Sequence, residues 1–127
     1  MAGADCAGVA GTVCAMAVDA AGNALVAWSQ QNTAGPAYNV IWGARYDRTT
    51  NAWSAVGVIS HADGSNAFNP VLTMAPDGTA IVAWARRDLE GNAFRYRVWW
   101  AHANISRSNG TWSVPRQLAS DVQPPSV

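Results

Sequence analysis

Three short stretches of this 127-residue chain concentrate side chains that can hold a ligand. They are Gln30 and Gln31; His61, Asp63 and Asn66; and Arg86, Arg87, Asp88 and Glu90. Amides, carboxylates and guanidiniums each present paired donors or acceptors, which is what neighbouring hydroxyl groups need as partners. Trp42, Trp53, Trp99 and Trp112 add flat indole faces on which the C–H face of a pyranose can stack. Together these groups suit recognition of a polyhydroxylated ligand, with Trp42 and Trp99 as the favoured platforms.

Covalent chemistry has less to draw on. Glu90 is the single glutamate, and five of the seven aspartates (Asp19, Asp47, Asp63, Asp77 and Asp88) fall in or near turn signals, where Asp has a local structural use. No G-x-S-x-G, H-E-x-x-H, phosphate-binding loop or glycine-rich dinucleotide motif is present. His61 and His102 match no triad or metal spacing. Cys6 and Cys14 form neither a C-x-x-C motif nor part of a Cys/His cluster, and they are expected to be packing residues or free thiols. The sequence therefore predicts no catalytic residue, no metal site and no cofactor.

Composition narrows the class further. Half of the residues are hydrophobic, 25 of them alanine, and only 13% are charged. Seven Trp, three Tyr and two Phe can supply a core, which argues against a disordered chain. All eight basic residues are arginine and the formal net charge is zero, so the basic excess of a nucleic-acid-binding protein is missing. No apolar run approaches the ~20 residues of a membrane span. Met1–Gly8 has neither a positive start nor an unbroken apolar run, so no signal peptide is expected, and the compartment stays open.

An internal repeat supplies the elements that must position the polar stretches. Val13-Cys14-Ala15-Met16-Ala17 matches Val71-Leu72-Thr73-Met74-Ala75, and Gly22 to Trp28 matches Gly78 to Trp84. Ile41-Trp42-Gly43-Ala44 matches Val98-Trp99-Trp100-Ala101, and Trp53-Ser54 matches Trp112-Ser113, at offsets of about 56 to 59 positions. Each unit reads as four strands. In the first they are Thr12–Val18, Ala24–Ser29, Tyr38–Tyr46 and Ala52–Ile59. In the second they are Val71–Ala75, Thr79–Ala85, Phe94–Asn104 and Thr111–Leu118. Pro76-Asp77-Gly78 and Asn109-Gly110 are turn signals. From Phe94 onward, Phe94, Tyr96, Val98 and Trp100 alternate with Arg95, Arg97 and Trp99, the period of a strand. Residues 7–28 are alanine-rich enough to suggest a helix, but their counterpart carries Pro76-Asp77-Gly78 in its middle, which no helix tolerates.

A repeated four-stranded meander is the signature of a propeller blade. The run from Pro70-Val71 to Trp84, followed by Gly110-Thr111-Trp112-Ser113 to Leu118, resembles the repeats of sialidase-like β-propeller proteins. The sialidase Asp-box is degenerate here: Arg107 to Trp112 keeps Thr-Trp and lacks the Asp. The resemblance implies an all-β fold of two four-stranded antiparallel meander blades, a β-propeller completed by oligomerisation. The expected layout is one domain over 1–127, with blade 1 at 9–60, blade 2 at 67–120, and 121–127 starting a further strand or closing onto a neighbouring subunit. Two blades leave flanks uncovered, because repeat units cannot bury their apolar faces alone. A homotrimer giving six blades is favoured over a two-sheet sandwich or an excised fragment.

In that architecture the loops 30–37, 61–69 and 86–92 open on one face and carry the polar stretches named above. Small two-blade chains that trimerise include sugar-binding lectins, and the same implication applies here by architecture. The expected function is a non-catalytic, carbohydrate-binding propeller, with itself and possibly glycans as partners. One alternative is a structural or protein-interaction propeller fragment. A second is a sialidase-like glycoside hydrolase, drawing on Arg45, Arg86, Arg87, Arg95, Arg97, Tyr96 and Glu90.

Overall fold

The computed structural model describes residues 14–31, 38–54, 57–60, 65–104 and 112–118. Within them the protein is all-β, with two antiparallel sheets and no helix. The first sheet holds β1 (Cys14–Val18), β2 (Ala24–Gln31), β3 (Asn39–Asp47), β4 (Ala52–Trp53) and β5 (Gly57–Val58). Its order is β1-β2-β3-β4, and β5 also pairs with β3. The second runs β6 (Asn66–Met74), β7 (Thr79–Glu90), β8 (Ala93–Asn104) and β9 (Arg116–Gln117), in chain order. The fourth strand expected over Ala52–Ile59 is thus two short pieces, and its counterpart over Thr111–Leu118 is reduced to β9. Asn109-Gly110 lies outside the described residues.

Hydrogen bonds show how closely the units copy each other. Each of the first hairpins closes on a three-residue loop whose last residue is a glycine. The Asp19 N–H donates to the Asn23 carbonyl at 2.9 Å, and the Ala75 N–H to the Thr79 carbonyl at 2.7 Å. Gly22 and Gly78 both sit at φ +89°, the left-handed position such loops reserve for glycine. Further along, the Ser54 and Ser113 N–H groups donate to the Arg45 and His102 carbonyls, each at 2.7 Å. Their hydroxyls accept in return from the Arg45 and His102 N–H groups, at 2.9 and 3.0 Å.

This register corrects one part of the sequence alignment. Val18 pairs with Ala24, and Met74 pairs with Ala80, so Val18 is the counterpart of Met74 and Met16 that of Leu72. Matching Met16 to Met74 slips the first strand by two residues. A two-residue slip leaves every side chain on its own face, so alternation alone cannot detect it.

The sheets pack face to face, with β6 lying beside β1, β2 and β3. Ala27, Ile41 and Ile59 of the first sheet share one core with Ala67, Val82, Trp84 and Ala101 of the second. Leu25 joins Ala80, with Leu72, Met74 and Trp112 packed against them. On the other face of the first sheet, Val26 and Trp28 are buried with Cys14, Trp42 and Ala44. Gly43 allows a close approach, because a Cβ there would lie 2.5 Å from Ile59 Cδ1. Ser29 Oγ also donates to the Ala67 carbonyl at 2.6 Å, tying β2 to β6.

Cys14 is disulfide-bonded, so the expectation of free or merely packing thiols fails for it. The reason is covalent: the thiol that was to fill a gap is spent on a cross-link at the start of β1. The chain's other cysteine, Cys6, lies outside the described residues.

Candidate functional site

The expected loop 86–92 is largely strand, and the described parts of the other two expected loops include strand residues. Arg86 to Glu90 continue β7, which turns at Gly91-Asn92 and returns as β8. Each residue here has a cross-strand partner: Arg86 with Arg97, Arg87 with Tyr96, Asp88 with Arg95, and Glu90 with Ala93. The polar composition suggested a loop, but the acids Asp88 and Glu90 of β7 pair with Arg95 and Arg97 of β8 and with Arg86 of β7 itself. Gly91, at φ +63°, makes the two-residue turn possible. Likewise Gln30 and Gln31 end β2, and Asn66 begins β6. Asn69 sits at φ +53° in the bulge where β6 shifts register between Phe68 and Val71. Residues 32–37, His61 and Asp63 lie outside the described residues.

Alternation divides the predicted site residues between two faces. Arg86, Asp88 and Glu90 share the face of Trp99, together with Arg95 and Arg97. Arg86 Nε lies 3.0 Å from Asp88 Oδ1, and Arg97 Nη1 lies 3.5 Å from Asp88 Oδ2. Arg97 Nη2 donates to Glu90 Oε1 at 2.7 Å, while Arg95 Nε lies 3.2 Å from Glu90 Oε2. Ser65 Oγ donates to Asp88 Oδ1 at 2.7 Å. The Arg86 guanidinium lies over the Trp99 ring at 4.8 Å. Each carboxylate is thus held between two guanidiniums, and the three arginines fan out from a single strip of the hairpin.

Arg87 points the other way. Its guanidinium lies 4.5 Å from the Phe94 ring centre and 5.3 Å from that of Phe68. Phe94, Tyr96 and Leu89 are exposed beside it.

Asp88 is poised as an acceptor. Burial pushes its carboxyl up, but the Ser65 hydroxyl and the Arg86 and Arg97 guanidiniums outweigh that and hold it below the ordinary carboxylate value. The two tryptophans expected to be platforms are half-buried. Trp99 packs against the core between the sheets, and Trp42 packs with Val26 and Trp28. Gln30 accepts from Trp28 Nε1 at 2.8 Å, so it serves the indole next to it. Asn66 Oδ1 accepts from the Asn39 N–H at 2.9 Å, joining the two sheets.

The predicted binding site left out Ser65, Phe68 and Phe94, and Arg95, Arg97 and Tyr96 were named only for the hydrolase alternative. The alternation from Phe94 to Trp100 held the signal for four of them. Extending that period back through the hairpin turn would have set Arg95 opposite Asp88 and Arg97 opposite Arg86, on the face that also carries Glu90. Ser65 and Phe68 depend on where β6 lies, which no local pattern gives.

Among the described residues, no group of three or more His, Cys, Asp or Glu is placed to hold a metal ion. No helix among them is long and apolar enough to cross a membrane. No protein-family model matches the chain, and no curated protein is similar to it.

Proposed function

We propose that this chain is a non-catalytic, carbohydrate-binding module of propeller type, completed by further copies of itself. The single observation that carries the binding part is the strip Arg86, Asp88, Glu90, Arg95 and Arg97, fixed by mutual ion pairs on a rigid hairpin. Two carboxylates supply acceptors and three guanidiniums supply donors at set positions, which is the pairing that vicinal hydroxyls require. A glycoside hydrolase would need a carboxyl that keeps its proton near neutrality. Asp88 is held ionised and both acids are paired with arginine, so the arrangement favours binding over bond cleavage.

The test is a glycan array followed by tryptophan-fluorescence titration of the hits. Binding of at least one sugar class is expected, weakened tenfold or more by Asp88→Asn and by Glu90→Gln. Absence of binding to every sugar class refutes the reading. The protein-interaction alternative draws support from a different feature, the open apolar face of the second sheet.

A further inference from the structure

We infer that the open face of the second sheet is a docking surface for the first sheet of another copy of this chain, head to tail. The inference deepens the assembly part of the reading above and rests on it. The starting point is a difference between two nearly identical strands. In β2, Ala24-Leu25-Val26-Ala27-Trp28 are all buried. In β7, Ala80, Val82 and Trp84 are buried, whereas Ile81 is exposed and Ala83 half-buried. The Ile81 and Ala83 face is a shallow apolar depression lined by Val71, Leu72, Thr73, Ile81 and Ala83.

The register equivalence says what this depression corresponds to. Inside the chain, Leu25 meets Ala80, Leu72, Met74 and Trp112. The counterpart of Leu25 is Ile81, and the counterparts of the other four are Ala24, Met16, Val18 and Trp53. Leu25 is 1% exposed, but Ile81 is 43% exposed, and Met16, Val18 and Trp53 are 52%, 54% and 55% exposed. The same holds one layer on: Ile59 is buried, and its counterpart Leu118 is exposed. Leu25, Leu72, Met74, Trp112 and Ile59, which help seal the junction within the chain, therefore have exposed twins, whereas Ala24, the twin of Ala80, is buried; the exposed twins divide into two sets. Ile81 and Leu118 lie on the outer face of the second sheet, the receiving side. Met16, Val18 and Trp53 lie on the first sheet, the inserting side. A single surface of either kind would suit many partners. The two halves of one known junction, displayed at opposite ends of one molecule, fit a second copy.

One position departs from the copy. Trp100 stands where the first sheet has Gly43, so the intermolecular junction is bulkier at that end than the internal one. Near the hairpin tip, Arg87 held between Phe68 and Phe94 adds the aromatic and arginine character typical of interface anchors. Such a contact joins two different surfaces, so it propagates around a closed ring or along an open filament.

Light scattering coupled to size exclusion, on the full chain at about 50 µM, tests this. The wild type is expected at an integer multiple of the single-chain mass. Ile81→Arg and Val18→Glu are each expected to reduce it to one chain, and the double variant to restore association by pairing the new charges. Near-UV circular dichroism checks that each variant keeps its packed tryptophans; both sites are exposed, so folding is expected to survive. A wild type that stays a monomer overturns the inference and assigns the face to another protein. An unchanged mass for Ile81→Arg, or no rescue in the double variant, overturns it as well. The glycan titration is run on the same samples. Loss of sugar binding with association intact refutes the binding proposal alone, and a monomer that binds sugar refutes only the docking.

Discussion

Leu25 and Ile81 occupy the same place in the two units, which makes them a built-in control for what the sheet-to-sheet junction contributes. Leu25 is 1% exposed and lies among Ala80, Leu72, Met74 and Trp112. Truncation to alanine removes its transfer free energy and leaves a cavity that neighbours on two sheets cannot both close. A cost of about 3 kcal/mol follows from core Leu→Ala series. Ile81 is 43% exposed in the single chain. Ile81→Ala there opens no closed cavity and gives up only part of a side chain's burial, so about 1 kcal/mol or less is expected. Both changes are made in the Val18→Glu background, which keeps a second copy off Ile81. Urea unfolding followed by tryptophan fluorescence reads the difference. With a slope of about 1.5 kcal/mol/M, the two midpoints separate by over ~1 M. Equal costs, within about 0.5 kcal/mol, would refute the argument that the internal junction is the main burial event for this strand position. Without Val18→Glu, the cost of Ile81→Ala is expected to grow with protein concentration, as it must when the folded state associates.

Three further outcomes follow from the structure. Thiol titration of the unfolded, unreduced chain is expected to find no free thiol, since Cys14 is cross-linked and the chain has two cysteines; two titrating thiols per chain would contradict the bond. Gly91→Ala is expected to cost about 1 kcal/mol although nothing crowds its Cβ position, because φ +63° strains an L-residue. Gly57→Ala, with equally open surroundings and no positive φ, is expected to cost less, and urea midpoints compare them. Asp88 supplies a pH dependence. Its folded carboxyl lies below the ordinary 3.8, so its stabilisation is complete above the unfolded value and is lost as pH falls through the folded one. Asp88→Asn is therefore expected to flatten the decline of the urea midpoint below about pH 4, and an unchanged acid slope would count against the Ser65, Arg86 and Arg97 contacts.

The repeat was legible because its markers are residues with few substitutes. Gly22 and Gly78 are fixed by a φ that excludes side chains, and Ser54 and Ser113 by a hydroxyl that must accept a backbone N–H. The polar end of β7 was misread for the opposite reason. Arg86, Arg87, Asp88 and Glu90 have the composition of a solvated loop, and only a partner strand bearing Arg95 and Arg97 turns them into ladder residues. Composition describes a residue in isolation, and this segment's structure lies in the pairing. Trp42 and Trp99 show the same limit, since an indole that can face a sugar can equally face a core, and here both pack inward.

The sharpest case is the pair of strands Ala24-Leu25-Val26-Ala27-Trp28 and Ala80-Ile81-Val82-Ala83-Trp84. They differ only in whether one side chain branches at Cγ or Cβ, so no reading of either could assign them different burial. Yet all five residues of the first are buried, whereas in the second Ile81 is exposed and Ala83 half-buried. The difference comes from position in the stack: β2 has the second sheet on its Leu25 face, and among the described residues no third sheet covers Ile81. A sequence that writes the same apolar face twice implies that the face is wanted twice. That the second is open in a single chain is the physical reason to look for its cover in another.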